Sequence, residues 1–349
     1  MSISPFDSAL YRDLFTDTDI ARLFTDSAEI RAMMLVEGAL AKAQGALGLI
    51  PQDSAEAIHR AAMEVQIDPS GLAAATGQNG VPVPALVAAF RAAMDAPEHA
   101  QYLHWGATSQ DIIDTGLALR LRQALSLMET TQTRLLDVLA TMAETHADTP
   151  ITARTYGQSA TPTSFGAVVA SWGWPHLAHL DRLAALRPRL LQVSLSGAAG
   201  TSSALGPDAP GLRKAMAEAL GLCDPGHSWH SSLGKLGEDL LLLSQTDTGE
   251  VRFGAAGASS TMPQKQNPVG ASVLVALARH VVALNGAMQG TALHRQQRDG
   301  AAWFTEWLSL PAMVMGTAKA LTTAADLIET LEPQSERMAE NLSDPLGLI

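Results

Sequence analysis

Apolar residues recur at three- and four-residue intervals along most of this chain, the spacing of one helix face, and hardly anywhere alternate with period two. In residues 20–48, Ile30, Met33, Met34, Val36, Leu40 and Leu47 form such a stripe, which Gly48 and Pro51 end. A second helix is expected near 53–65, followed by the turn-rich stretch Thr76-Gly-Gln-Asn-Gly-Val-Pro-Val-Pro84. The longest periodic segment runs from about 111 to 143, with Ile113, Leu117, Leu121, Leu125, Met128, Leu135, Leu139 and Met142 on one face at near-heptad spacing. Thr108-Ser-Gln-Asp111 opens it with capping chemistry, a hydroxyl and a carboxylate three residues apart.

Further helices are expected at 164–186 (interrupted around Gly173-Trp-Pro175), 211–220, 233–247, 268–289 and 306–330. The Gly/Ser stretches 194–206 and 254–261 read as loops at the ends of these helices. No segment combines sustained alternation with β-branched enrichment, so the expected class is all-α with little sheet. Long apolar stripes need partners, and one chain cannot be expected to cover them all. Bundling of helices between subunits follows as an expectation. The expected division is an N-terminal helical domain over 1–105 and a long-helix bundle over 106–349.

Composition narrows the picture. Aromatics are only 5% of 349 residues, and helix formers abound. A net charge of −12 argues against nucleic acid or an anionic membrane as the main partner. The single cysteine, Cys223, excludes an internal disulfide and any Cys-rich metal site, and suits a reducing compartment. No apolar run is read as membrane-spanning, and the first residues lack the basic and apolar regions of a signal peptide. A cytoplasmic location is the expectation.

Three clusters carry candidate chemistry. His104-Trp-Gly-Ala-Thr-Ser-Gln-Asp111 stands just before the long helix, whose free amides and positive dipole end favour an anion, with Thr108 and Ser109 adding hydroxyls. Simple N-capping explains it equally well. Ala153-Arg-Thr-Tyr-Gly-Gln-Ser-Ala-Thr-Pro162 is unusually polar, and taken alone reads as an ordinary polar loop. The third is Gly257-Ala-Ser-Ser-Thr-Met-Pro-Gln-Lys-Gln-Asn-Pro268. A serine is a poor base at its ordinary pKa, so Ser259 or Ser260 would need amides or cations to stabilise the alkoxide. Lys265 supplies charge, Asn267 supplies amide donors, and Pro268 fits the first turn of the next helix. The glycine-rich approach would let the loop close over a substrate. No metal site is expected: His176 and His179 have no acidic partner at ligand spacing.

Together, in this order, the clusters resemble the fumarase/aspartase superfamily, whose signature loop has the pattern Ser-Ser-x-Met-Pro-x-Lys-x-Asn-Pro. The resemblance runs from about residue 5 to the end of the chain. His104-Trp-Gly-Ala-Thr-Ser-Gln-Asp-Ile-Ile-Asp114, Gly197-Ala-Ala-Gly-Thr201, Arg298-Asp-Gly-Ala-Ala-Trp303 and Glu306-Trp307 are similar to its 3-carboxy-cis,cis-muconate cycloisomerase branch. The resemblance implies an elongated helical subunit in a homotetramer, with active sites shared between subunits and no cofactor. It implies that Ser259 transfers the α-carbon proton and that Lys265 and Asn267 hold a substrate carboxylate. Thr108, Ser109, Thr155, Tyr156, Gln158 and Arg298 would line the site, with His104 close by. The implied reaction interconverts 3-carboxy-cis,cis-muconate and a carboxymuconolactone in the protocatechuate branch of aromatic breakdown.

The superfamily's lyases usually carry histidine where this chain has Tyr156, and that histidine helps protonate an amine or hydroxyl leaving group. A carboxylate, the departing group in cycloisomerisation, has a pKa of about 4 and needs no such acid. Tyr156 therefore speaks for the cycloisomerase. The alternatives are another fumarate-releasing lyase of the superfamily and a catalytically silent structural protein. Relatives continue into a small helical C-terminal domain that this chain is expected to lack. They also have more helix after a Trp-His pair like Trp229-His230, a shortfall of roughly five turns.

Overall fold

The computed structural model describes Phe6 and residues 8–155, 158–227, 233–254, 257–258, 266–293 and 299–342. Short helices α1 (Arg12–Phe15) and α2 (Thr18–Ala21) lead into α3 (Asp26–Ala46) and α4 (Gln52–Glu64). Thr25 caps α3, its hydroxyl accepting the Ala28 N–H at 3.2 Å. Next come α5 (Ala73–Asn79), α6 (Val83–Met94) and α7 (Pro97–Ala100). The stretch expected as turns thus contains the end of α5, which Gly80 stops at φ 73°, and the start of α6, where Pro84 falls in the first turn and costs no hydrogen bond.

Helix α8 (Ser109–Thr145) is the long periodic segment, and α9 (Phe165–Leu190) returns along it. Between them lie two paired strands, β1 (Pro150–Thr155) and β2 (Gln158–Ser164), where a polar loop was expected. The interruption expected at Pro175 does not occur: α9 runs through both Pro175 and Pro188. A proline removes one backbone donor, and packing along α8 outweighs that loss, aided by Gln132 Nε2 donating to His176 O at 2.7 Å. The chain continues through α10 (Ala209–Leu220), α11 (Leu233–Leu243), β3 (Val251–Phe253), β4 (Gly257–Ala258), β5 (Gln266–Asn267) and α12 (Val269–Gly290). It ends with α13 (Gly300–Glu329), β6 (Leu331–Pro333) and α14 (Ser335–Leu342). The class is all-α, with only two-stranded sheets among the described residues.

Contacts divide the chain into two compact units. The first comprises Met1–Thr149 and Ser164–Trp229. Its core gathers Met33, Met34 and Leu40 of α3, Ile58 of α4, Leu86 and Phe90 of α6, Ile112 and Leu119 of α8, and Leu212 and Met216 of α10. Residues 105 and 106, the expected domain boundary, fall inside this unit, because the N-terminal half of α8 shares its core with α3. The second unit comprises Pro150–Thr163 and His230–Ile349. Leu240 of α11, Phe253 of β3, Ala271 and Leu274 of α12, and Ala320, Ala324 and Leu327 of α13 form its core. Strand β3 pairs antiparallel with β6, Arg252 opposite Glu332.

Much of the periodic apolar surface stays uncovered within one chain. Met128, Leu135 and Met142 of α8, Val282 of α12, and Trp307, Leu308, Val314 and Met315 of α13 are exposed. Helix α12 also corrects the sequence reading: its 22 residues are long and apolar enough, by length and composition, to cross a membrane. Arg279 and His280 break its apolar run mid-helix, which is why no spanning segment is legible in the sequence.

Candidate active site

The first unit builds its polar centre at the start of α8. Just before that helix, His104 takes the left-handed backbone conformation at φ 64°, and Gly106 follows at φ 72°. A side chain in that region is strained by roughly 1–2 kcal/mol, so neighbours must hold the turn. They do so at three points. Gln44 Nε2 of α3 donates to Trp105 O at 2.7 Å, Arg91 Nη2 donates to Leu103 O at 2.8 Å, and Glu37 Oε1 lies 2.7 Å from His104 Nδ1. Gly106 is required by space as well as by φ: a Cβ there would meet Ala204 O at 2.4 Å.

Asp111 does more than cap. Its Oδ2 accepts the Thr108 N–H at 3.1 Å, as the capping chemistry predicts. The same buried carboxylate accepts the Ser196 N–H at 2.9 Å and the Gly197 N–H at 3.0 Å. One turn later, Thr115 Oγ1 donates to Ser194 O at 3.1 Å and accepts the Ser194 N–H at 2.9 Å. The loop expected at 194–206 is therefore clamped beside the helix start. It turns through Gly197, Gly200 and Ser202, all at positive φ, and Ser202 N–H closes on Ser196 O at 2.8 Å. Thr108 and Ser109 are half-buried at this edge, and the Ser109 hydroxyl has no hydrogen-bond partner among the described residues.

In the second unit, Thr155 ends β1, and Gln158 opens β2 with its side chain exposed. Strands β4 and β5 pair antiparallel, Gly257 opposite Asn267 and Ala258 opposite Gln266. In sequence, Ser259 follows β4 and Lys265 precedes β5, so this short ladder flanks the signature segment. Asn267 is half-buried and lines a cavity of about 880 Å³ with Arg252, Phe253, Gln334 and Arg337. Pro268 stands at the N-cap of α12, one position before the first turn expected for it. Ser259, Ser260, Lys265, Tyr156 and Arg298 lie outside the described residues, as does the segment after Trp229-His230.

The structure brings His104, Thr108 and Ser109 together in the first unit, and places Thr155, Gln158 and Asn267 in the second. Sequence reasoning missed Glu37, and it missed Asp111 as a loop anchor. The available signal for Glu37 was an acid set inside the apolar stripe from Met33 to Leu40. Nothing local could have paired Asp111 with residues 196 and 197, because that contact spans 85 positions.

A family model described as lyase matches residues 10–230 and 213–283. A 3-carboxy-cis,cis-muconate cycloisomerase of Pseudomonas aeruginosa is 39% identical over 97% of this chain and 79% of its own length. A nitrosuccinate lyase of Streptomyces davaonensis is 35% identical over 98% of this chain and 78% of its own. Among solved structures, the 3-carboxy-cis,cis-muconate lactonizing enzyme of Pseudomonas putida superposes with a TM-score of 0.61 at 36% identity, covering 98% of this chain and 81% of that one. The helical architecture and these matches have one explanation: the chain belongs to the lyase family of the fumarase/aspartase superfamily.

Proposed function

We propose that this chain is an intramolecular lyase that interconverts 3-carboxy-cis,cis-muconate and a carboxymuconolactone without a cofactor. The observation that carries this reading is its 39% identity, over 97% of the chain, to a cycloisomerase of that name. Tyr156, at the position where amine- and alcohol-releasing lyases usually carry a histidine acid, supports it.

A substrate carboxylate attacks a carbon of the conjugated diene and forms the ring C–O bond. The electron pair moves onto an adjoining carboxylate as an enediolate, which Lys265, Asn267 and helix-end amides stabilise. The Ser259 hydroxyl gives its proton to the α-carbon, completing the lactone; the reverse direction is β-elimination. Thr108, Ser109, Thr155, Tyr156, Gln158, Arg298 and His104 line the site. Because long apolar faces stay uncovered in one chain, the working form is a homotetramer, with active sites shared between subunits. The free Cys223 fits a cytoplasmic location.

The test is to add 3-carboxy-cis,cis-muconate in deuterated water, follow loss of diene absorbance, and identify the product by NMR. The expected product is a lactone carrying one deuteron on the α-carbon. No change in absorbance, together with fumarate release from a succinyl adduct, would instead favour an intermolecular lyase.

A further inference from the structure

Glu37 is almost fully buried, with 1% of its side chain exposed, in the middle of the apolar face of α3. Its Oε1 lies 2.7 Å from His104 Nδ1, and its Oε2 has no hydrogen-bond partner among the described residues. A carboxylate taken out of water with one oxygen unsatisfied is costly to keep. The turn at 103–105 is already anchored through its backbone by Gln44 and Arg91. What Glu37 alone touches is the imidazole, whose side chain remains 19% exposed. The pair therefore has a sealed end at the carboxylate and an open end at the ring.

We infer that Glu37 is a positioning residue that acts through His104, its carboxylate fixing the imidazole with the proton on Nδ1. Facing an ionised carboxylate, which can only accept hydrogen bonds, Nδ1 carries the hydrogen, and whenever the ring is neutral its lone pair lies on Nε2. His104 then offers an acceptor, in one tautomer and one orientation, four residues before the Thr108-Ser109 pair. The left-handed backbone at His104 belongs to the same arrangement, a strained residue held where the surrounding structure over-determines it. The fitting ligand group is a hydrogen-bond donor, such as a water that in turn donates to a substrate carboxylate. This inference rests on the reading of His104 as a substrate-site residue.

The test has two arms on the full-length protein. In the first, ¹⁵N-histidine NMR without substrate assigns His104 by the signal lost in His104→Gln. Wild type is expected to show a protonated Nδ1 and a bare Nε2, and Glu37→Met to revert to the Nε2–H form that free imidazole prefers. A wild-type ring protonated on Nε2, or an unchanged tautomer in Glu37→Met, would overturn the inference. Should Glu37→Met fail to fold, Glu37→Leu serves, with the same reversion expected and an unchanged tautomer counting against the idea.

In the second arm, turnover of 3-carboxy-cis,cis-muconate is measured in a double-mutant cycle. Glu37→Gln is expected to lower kcat/KM by about 10- to 100-fold, the range known for outer partners that orient ligand histidines. It should cost nothing further in the His104→Gln background. Multiplying effects would mean that Glu37 acts by another route. A wild type with no turnover sinks the proposed activity alone, because the tautomer arm needs no substrate.

Discussion

The carboxylate of Asp111 accepts the Ser196 backbone N–H at 2.9 Å, tying the first turn of the long central helix to a loop 85 positions downstream. With Thr108 and Gly197 also bound to it, one buried side chain satisfies three backbone donors. Asp111→Ala leaves those donors without their acceptor. The expected loss is about 3 kcal/mol or more, because hydrogen bonds to charged groups contribute roughly 1.5–3 kcal/mol each and buried orphans add to the cost. Chemical denaturation of the two proteins measures it, and a loss below about 1 kcal/mol would mean that the loop finds other partners.

Ser259→Ala is expected to lower kcat by about 10²- to 10⁴-fold, the usual contribution of a positioned proton donor. Circular dichroism and the oligomeric state should stay those of the wild type. Near-normal turnover by an intact assembly would take the proton-transfer role away from Ser259.

Leu308 is 79% exposed in the single chain, on the same helix as exposed Trp307, Val314 and Met315. If that surface is covered by other subunits, Leu308→Glu places a charge in an apolar contact. Sedimentation should then show smaller species at concentrations where wild type is fully assembled, with helix content retained. A wild-type sedimentation profile would exclude Leu308 from any contact that matters for assembly.

Gly106→Ala combines a left-handed backbone with a Cβ placed 2.4 Å from Ala204 O. The backbone at Ala204 must move or the turn must open, and a loss of roughly 2–4 kcal/mol is expected. Thermal unfolding reads it. A neutral result would show that the turn around His104 is less firmly held than its contacts imply.

Acid sensitivity has a specific candidate in Asp224. Burial works to raise its pKa, but the hydrogen bond from Arg213, the Gly226 N–H and the charges of Arg213 and Lys214 prevail and hold it below the ordinary carboxylate value. A depressed carboxyl contributes stability that is complete above its unfolded pKa of about 3.9 and is lost as pH falls through the folded value. Asp224→Asn should therefore unfold at a lower temperature than wild type at pH 6, and the gap should narrow below about pH 4. A gap that stays constant down to pH 3 would assign the effect to something other than ionisation.

How much of the site the sequence disclosed depended on distance along the chain. The capping of α8 was legible because Thr108 and Asp111 are three residues apart, and the signature loop because its chemistry lies within a dozen positions. Glu37 and His104 are 67 positions apart, and only α3 packing against the start of α8 makes them neighbours. The β1–β2 pair passed for a polar loop because β2 is mostly exposed and the alternation in β1, Ile151 and Ala153 against Thr152 and Arg154, is too short to stand out in a sequence.

Periodicity alone settled the all-α class and the course of the long helices, since a helix face repeats within a few residues whatever lies against it. It also left their apolar stripes in need of cover, and the exposed residues of α8 and α13 meet that expectation. Tertiary structure decided the rest. It kept α9 continuous through Pro175, placed α8 in one unit with α3, and turned Asp111 from a cap into an anchor. Each of these depends on which surfaces meet, and a local pattern sets what an element can bury without specifying the partner that buries it.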